Sequence, residues 1–447
     1  MIVNMPVPPL WMGIPFFFLL SMIAVAPYAF ARFWHRFEVP FLIGVSLLTG
    51  VGLWVTIGYK LTSTCVLHVA VREYIPFVIL LSALYSISTG FHLRLKARGT
   101  PLKNTLFLMV GSILANFVGT TGASMILLRS FLHMNRHRQY KTHSVIFFIF
   151  LVANVGGCLT PIGDPPLFLG YLNGVDFFWP LKFLWMPFLA VVVCLLTIYC
   201  VLDSYFYRRD PLSKLESMES APSIWQGKIN ILYLCILIFL IVGSGSLSRW
   251  FPNLPEITWL GQHLRIPELI RDGGLLILTL AAYYSARKGA EGVHHVSWEP
   301  VREVARVFAA IFITIIPLNL MLEAGLAGPL KPILNLTKVE HPAFVYFWLT
   351  GIFSAFLDNA PTYLIFFKMA GGNATELMIN QPKILMAISL GAVFMGAMTY
   401  IGNAPNFMVR SIAKQSGVTM PGFLGYMGWS FVFLLPLFLG VSLWWFH

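Results

Sequence analysis

Long apolar runs alternate with short polar breaks along the whole chain. Runs of about 20 residues, enough to cross a bilayer, lie near 10–32, 39–59, 73–93, 142–172 and 181–203. A polar segment, 204–228, containing RRDPLSKLESMES, interrupts the pattern, and five more runs follow near 229–248, 271–286, 305–327, 383–411 and 423–446. Two further apolar stretches, near 104–134 and 343–369, are divided midway by turn-forming residues: GTTGAS from Gly119 to Ser124 and DNAPT from Asp358 to Thr362. Each limb is about 10 to 15 residues, too short to span, so both stretches predict re-entrant helical hairpins with tips near mid-membrane. The alternative is an ordinary spanning helix with a polar kink.

Composition makes lipid the solvent. Of 447 residues, 57% are apolar and only 11% charged, with a mean hydropathy of +0.76. A soluble domain carries roughly 25% charged residues. A cytosolic enzyme, a nucleic-acid-binding domain and a disordered chain are all excluded. The excess of 30 Lys and Arg over 18 Asp and Glu marks cytoplasmic loops rather than polyanion binding. With the N-terminus outside, ten spans and two hairpins put 20 of those 30 basic residues inside. Without the first hairpin's return, the basic clusters at 94–103 and 129–141 would fall on opposite faces. The layout is an all-α protein of the plasma membrane, bacterial inner-membrane type, with both termini outside. No Lys or Arg precedes the first run, so that run is expected to stay as a span. The cysteines, Cys65, Cys158, Cys194, Cys200 and Cys235, lack C-x-x-C spacing and read as small core residues.

The two halves match at a fixed offset of 239 positions. Thr160-Pro-Ile-Gly-Asp-Pro-Pro-Leu-Phe168 aligns with Thr399-Tyr-Ile-Gly-Asn-Ala-Pro-Asn-Phe407. The same offset sets Phe117 on Phe356, Ile126 on Ile365, Arg129 on Lys368 and Gly157 on Gly396. Residues 10–203 therefore read as a first repeat, 204–228 as a cytoplasmic linker and 229–446 as a second. Five spans per repeat make the second enter from the opposite side, an inverted repeat common in secondary transporters. Gly163, Pro165 and Pro166, or Gly402 and Pro405, interrupt runs 142–172 and 383–411. Proline removes a donor and clashes with the preceding turn, so each run is expected to be a discontinuous helix whose freed backbone can coordinate an ion.

Two acidic residues fall deep in this layout, Asp164 in the first broken helix and Asp358 at the second hairpin tip. A carboxylate at the bilayer centre costs about 2.5 to 3.5 kcal/mol on insertion scales and usually marks an ion or proton pathway. Neutral oxygens from Asn154, Thr160, Asn359, Thr362, Thr399 and Asn403 surround them in the sequence and suit a small hard cation such as sodium. These six could instead cap half-helices, and the two roles can coexist. Asp164 and Asp358 are thus the candidate sites for exchange of a proton with a metal cation, with no resident cofactor. Glu73 and Glu323 lie near predicted span ends and are expected at the interface. His133, His137, His143, His294 and His295 read as solvated loop residues.

With these residues in view, NVGGCLTPIGDPPLF, SAFLDNAPT and GAMTYIGNAPNFMV resemble the ion-transporter superfamily, which includes D-type sodium/proton antiporters, arsenite permeases, citrate/metal carriers and sodium-coupled dicarboxylate carriers. The similarity is greatest to its group of sodium:proton antiporters and citrate transporters, over residues 10–446. The resemblance implies hairpins meeting broken helices at two cation sites, dimeric assembly in many members, and an elevator-like movement of the hairpin domain. One departure matters. Dicarboxylate carriers present Ser-Asn-Thr at both tips, whereas these tips read GTTGAS and DNAPT, and Asp358 would repel a multivalent anion unless a cation neutralised it. The expectation is a sodium or lithium/proton antiporter. The alternative is a sodium- or metal-coupled citrate or dicarboxylate symporter; nothing selects for arsenite efflux. An intramembrane aspartyl protease is disfavoured, because Asp164 follows Pro161-Ile162-Gly163 rather than Gly-x-Gly. The expected partners are a small cation and a proton, a carboxylate under the symport alternative, the lipid bilayer and a second copy of the chain, but no nucleic acid.

Overall fold

The computed structural model describes residues 6–94, 97–210, 224–251, 255–259, 261–289, 298–335 and 339–447. Lys96, Lys214 with most of the polar linker, His294 and His295 lie outside the described residues.

Among the described residues, seven helices are long and apolar enough to cross a membrane: Arg36–Ile57, Tyr59–Thr89, Pro101–Val118, Trp179–Arg209, Lys228–Leu247, Glu299–Glu323 and Phe423–Trp445. Four apolar helices are shorter: Leu10–Ile23, Thr142–Gly157, Pro342–Leu357 and Pro382–Met398. Large side chains stand bare on the outside, including Val55 at 79% exposure and Trp444 at 81%. A water-exposed surface would not carry so much apolar area. The cysteines follow the same division: Cys158 is buried, while Cys194 and Cys235 are exposed, which corrects the expectation of five core residues.

In chain order, α1 (Ile14–Ala29) and α2 (Ala31–Ile57) lead to Gly58. There α3 (Tyr59–Val69) continues through a π-helical turn, Ala70–Tyr74, into α4 (Ile75–Thr89). This rod begins well before the expected run at 73–93. Its polar start is tolerated because Thr62 and Thr64 donate their hydroxyls to carbonyls four residues back. Next come α5 (Pro101–Val118), α6 (Thr120–Met134), α7 (Thr142–Leu151), α8 (Pro165–Leu172) and α9 (Trp179–Arg209). The first limb at 104–134 is therefore 18 residues long, not 10 to 15. Thr100 caps it by accepting from the Lys103 amide, and Pro101 fits the first turn, where its missing N–H costs nothing. α9 also runs past 203 into the segment read as linker.

The second half supplies α10 (Lys228–Trp250), α11 (Ile266–Gly289), α12 (Glu299–Thr314), α13 (Ile316–Glu323) and α14 (Lys331–Asn335). It ends with α15 (Pro342–Leu357), α16 (Asn359–Met369), α17 (Ala374–Ile379), α18 (Pro382–Met395), α19 (Ala404–Gln415) and α20 (Phe423–Trp445). Two short antiparallel ribbons modify the all-α expectation. β1 (His92–Arg94) pairs with β2 (Ile224–Gln226) in the register His92 to Gln226, and β3 (Glu256–Trp259) forms a hairpin with β4 (Gln262–Arg265).

The helices sort into two packed groups, each drawing on both halves of the chain. One holds α1–α4 with α10–α13; the other holds α5–α9 with α15–α20. They meet chiefly where α4 touches α6 and α13 touches α16. Within the second group, α7 and α18 are buried on every side, as expected for helices that are apolar all round. Close packing of α15 on α18 needs bare backbone: a Cβ at Gly391 would stand 2.6 Å from the Phe347 carbonyl oxygen.

His143 overturns its loop assignment. It lies in the first turn of α7, 2% exposed, with Nε2 2.7 Å from Asp203 Oδ1. Asp203 also takes Arg138 at 2.6 Å, and Arg138 reaches Asp210 at 3.1 Å. This buried cluster pins the α6–α7 junction to α9.

Candidate functional site

Asp164 is the N-cap of α8 and is 1% exposed. α7 ends at Leu151 and the chain returns to α-helix only where Pro165 and Pro166 open α8; within this break Gly163 approaches Gly157 so closely that a Cβ would stand 2.2 Å from the Gly157 carbonyl oxygen. Three side chains from three other elements donate to the Asp164 carboxylate. Thr120 Oγ1, at the start of α6, lies 2.8 Å from Oδ1; Asn359 Nδ2, at the start of α16, lies 2.5 Å from Oδ2; Asn403 Nδ2, the N-cap of α19, lies 3.3 Å from Oδ1. Thr120 and Asn359 are themselves 239 positions apart.

A second layer of amides surrounds this centre. Asn403 Nδ2 also reaches Asn154 Oδ1 at 3.2 Å, and Asn154 Nδ2 donates to Asn406 Oδ1 at 2.6 Å. Asn406 in turn donates to the carbonyls of Gly396 and Thr399 at 2.8 and 2.9 Å. Gly396 leaves space where polar atoms converge: a Cβ there would meet Asn154 Oδ1 and the Gly402 carbonyl oxygen, each at 3.2 Å. Asn359 Oδ1 is buried and has no hydrogen-bond partner. A cleft of 60 Å³ between α4 and the first break touches Gly119, Thr120 and Gly163.

Asp164, Asn154, Asn359 and Asn403 thus come together. Thr160 and Thr399 stand one step back and brace the breaks: Thr160 Oγ1 donates to the Asn116 carbonyl and accepts from the Gly163 amide, while Thr399 Oγ1 donates to the Ala355 carbonyl and accepts from the Gly402 amide. Thr362 braces the second tip through the Asp358 carbonyl at 2.8 Å. Pro165, Pro166 and Pro405 lie in the first turns of α8 and α19. Asp358 caps α16, with Oδ1 3.4 Å from the Ala360 amide. It lies within electrostatic reach of Asp164 but makes no hydrogen bond to it.

Asp358 has the only positive φ of any described residue other than glycine, 69°. Its φ and ψ of 69° and 138° nearly repeat those of Gly119, 77° and 154°, at the same offset of 239. Such backbone favours glycine, and holding another residue in it costs about 1–3 kcal/mol.

Two contributors, Thr120 and Asn406, are absent from the expected site residues, and Glu73, outside the centre, departs from its expected place. Thr120 could have been found by subtracting 239 from 359. Asn406 lies one helical turn beyond Asn403, on the same face. Glu73 was expected at an interface but is 6% exposed in the middle of a 31-residue rod; the late start assigned to that helix hid its depth.

The N-termini of α6, α8, α16 and α19 all converge on Asp164. Such ends carry partial positive charge and form ready anion sites, here filled by the protein's own carboxylate. Among the described residues, no Lys, Arg or His pairs with Asp164, and no cluster of three His, Cys, Asp or Glu side chains could hold a metal. The oxygens on offer are therefore one carboxylate and neutral amide and carbonyl groups.

Fold and site together define an integral membrane protein whose broken helices close on a buried polar centre. The chain belongs to the family described as "Putative citrate transport", whose model matches residues 5–446, and by that membership it is a membrane transporter of the ion-transporter superfamily. It is similar to an uncharacterized transporter of Mycobacterium tuberculosis, 23% identical over 336 residues covering 72% of each chain; the Mycobacterium bovis counterpart matches equally. It is also similar to sodium/proton antiporter 1 of Arabidopsis thaliana, 29% identical over 395 residues, 83% of this chain and 63% of that protein.

Proposed function

We propose that the chain is a secondary active transporter exchanging sodium or lithium for protons, with Asp164 as the shared binding group and Asp358 as its neighbour at the second tip. The observation that carries this reading is the buried Asp164 carboxylate at the meeting point of four helix N-termini, without a cationic partner among the described residues. Each helix end contributes about 0.3–1 kcal/mol, so four supply at most a few kcal/mol. Burying an ion costs several. The remaining deficit is met by a proton or a bound cation, one replacing the other.

The matched boundaries of α5, α6, α8, α15, α16 and α19 at offset 239 support two inverted repeats, with α5–α6 and α15–α16 as hairpins whose tips, Gly119 and Asp358, flank the breaks. The two packed groups suit an elevator, with α5–α9 and α15–α20 moving against α1–α4 and α10–α13 around the fixed site.

The family's description favours a second reading, coupled transport of citrate. Two features weigh against it. Asp164 already occupies the point at which helix N-termini would hold a substrate carboxylate. The large cavity of 1180 Å³ between the two groups is lined by Arg72, Arg265 and Arg271 but also by Glu73, Asp176, Glu268 and Asp272, three positive groups against four negative. That wall offers a trivalent anion no net attraction.

The test is dye-reported proton movement in proteoliposomes between pH 6 and 9 on addition of sodium or lithium, with labelled citrate uptake run in parallel. Proton movement on sodium or lithium, abolished by Asp164→Asn, is the expected result. Citrate uptake without cation-driven proton movement would establish the second reading instead.

A further inference from the structure

Glu73 sits in the π-helical turn Ala70–Tyr74, near the middle of the Tyr59–Thr89 rod. Extra-residue turns of this kind break the regular backbone ladder and recur at functional sites. Glu73 is 6% exposed, its Oε2 is buried without a hydrogen-bond partner, and it lines the 1180 Å³ cavity. An ionised carboxylate left unpaired in such surroundings costs several kcal/mol, and nothing around it supplies a dedicated counter-ion.

The charged groups whose fields reach it are Lys368 of α16 and Glu323 of α13, and these two already pair with each other at 3.4 Å. On its own rod stand His68, bonded to Gln262 at 3.1 Å, and Arg72. Across the cavity, Arg271 is engaged with Asp272 at 2.7 Å, and Glu268 and Asp176 add only negative charge. Helix α12 meets the turn through uncharged groups: Tyr74 donates to the Ala305 carbonyl and its ring packs on Phe312. Helix α8, which Asp164 caps, packs directly on the turn, and Tyr171 is its one titratable residue.

We propose that Glu73 is a proton-binding station in the cavity wall that exchanges protons between the cavity and the Asp164 centre. Its proton-binding chemistry stands on the geometry above; its coupling to transport rests on the antiport reading. The station lies on α3–α4, outside the group of helices that carries Asp164, so a relative movement of the two groups would make and break the path between them.

The test uses the full-length wild-type protein in liposomes and dicyclohexylcarbodiimide, an apolar reagent that adds to a protonated carboxyl group and not to a carboxylate. Mass spectrometry reads the modification at residue 73. We expect labelling at pH 6 that falls as the pH is raised to 9, because the reagent takes only the protonated carboxyl group. Absence of label at every pH, or label constant across the range, overturns the station. In a second arm, Glu73→Gln is expected to retain sodium- or lithium-driven proton movement while shifting its pH profile by about one unit; an unshifted profile overturns the coupling to Asp164. If no cation moves protons through the wild-type protein, the antiport reading fails, and the labelling result still decides for or against the station.

Discussion

The two breaks that meet at Asp164 have one backbone and two chemistries. Asp164 and Asn403 cap α8 and α19 with nearly the same dihedral angles, −145° and 143° against −153° and 137°. Thr160 and Thr399 make the same pair of braces 239 positions apart. Charge does not follow the backbone. The first half keeps its carboxylate at the break and a glycine at the tip; the second keeps an amide at the break and its carboxylate at the tip. Side chains from both tips, Thr120 and Asn359, turn toward the same carboxylate. Matching scaffolding is thus combined with a single charged centre, and the second carboxylate is held in strained backbone beside it.

The largest effect is expected from removing that centre. Asp164→Asn removes the charge and replaces one of the two acceptor oxygens with an NH2 group, which must face either the Asn359 donor or the Thr120 and Asn403 donors. Hydrogen bonds to charged groups are worth about 1.5–3 kcal/mol each, so cation-driven proton movement should fall by more than about 100-fold. The sharper experiment is the exchange Asp164→Asn with Asn403→Asp. If the two breaks were interchangeable, activity would return; we expect it to stay lost, because Thr120 and Asn359 are aimed at position 164 and not at 403.

The tips come next. Asp358→Gly releases about 1–3 kcal/mol of backbone strain against an entropy cost of about 0.5–1 kcal/mol. The protein should gain about 1 kcal/mol, seen as a thermal midpoint a few degrees higher in detergent, while transport is lost. Gly119→Ala should do the reverse, because its φ is 77° and its Cβ would stand 3.3 Å from the Ile162 carbonyl oxygen. An Asp358→Gly protein that is more stable and still transports would remove Asp358 from the mechanism.

A smaller contrast lies at the bare backbone beside the breaks. A Cβ at Gly157 would meet the Gly163 carbonyl oxygen at 2.8 Å and Asp164 Cβ at 3.0 Å, whereas at Gly396 the nearest atoms are 3.2 Å away. Overpacking of the first kind costs about 1–3 kcal/mol. Gly157→Ala should therefore displace Asp164 and impair transport, and Gly396→Ala should be the milder substitution by thermal midpoint and by transport rate.

Much of this architecture was legible in the sequence because its signals were local or repeated. Proline and glycine inside apolar runs gave the breaks, and the offset of 239 aligned Asp164 with Asn403. The missing parts depended on register and on three-dimensional neighbours. The expected run at 73–93 misses the start of helix Tyr59–Thr89, where Lys60, Thr62 and Thr64 lower the apolar content; the threonine hydroxyls are satisfied by the helix's own carbonyls, and Glu73 lies inside the rod rather than at its end. His143 looked like a loop histidine because nothing local announces Asp203, 60 positions away. The positive φ at Asp358 has no signature at all in residue types, and only the glycine at the matching position 119 hinted at it.

The smallest expected effect tests whether the scaffolding is as even as its geometry. Thr160→Val and Thr399→Val each leave a buried carbonyl without its hydroxyl donor, at Asn116 and Ala355; Thr399→Val also leaves the Gly402 amide without its acceptor, whereas the Gly163 amide keeps the Thr160 carbonyl at 3.0 Å. Thr399 also accepts from the Ile401 amide at 3.2 Å, so its loss strands one more donor. A net hydrogen bond is worth about 0.5–1.5 kcal/mol, which puts each variant about 1–3 kcal/mol below the wild type, with Thr399→Val the lower. The two sites brace different breaks and share no partner, so the double variant should lose the sum to within about 0.5 kcal/mol. A strong coupling in the thermal midpoints would mean that the two breaks yield together, making the duplicated backbone one cooperative unit around Asp164 rather than two independent supports. Thr160→Ser and Thr399→Ser keep the hydroxyl and should restore most of the stability, which separates the loss of the bond from a change in side-chain shape.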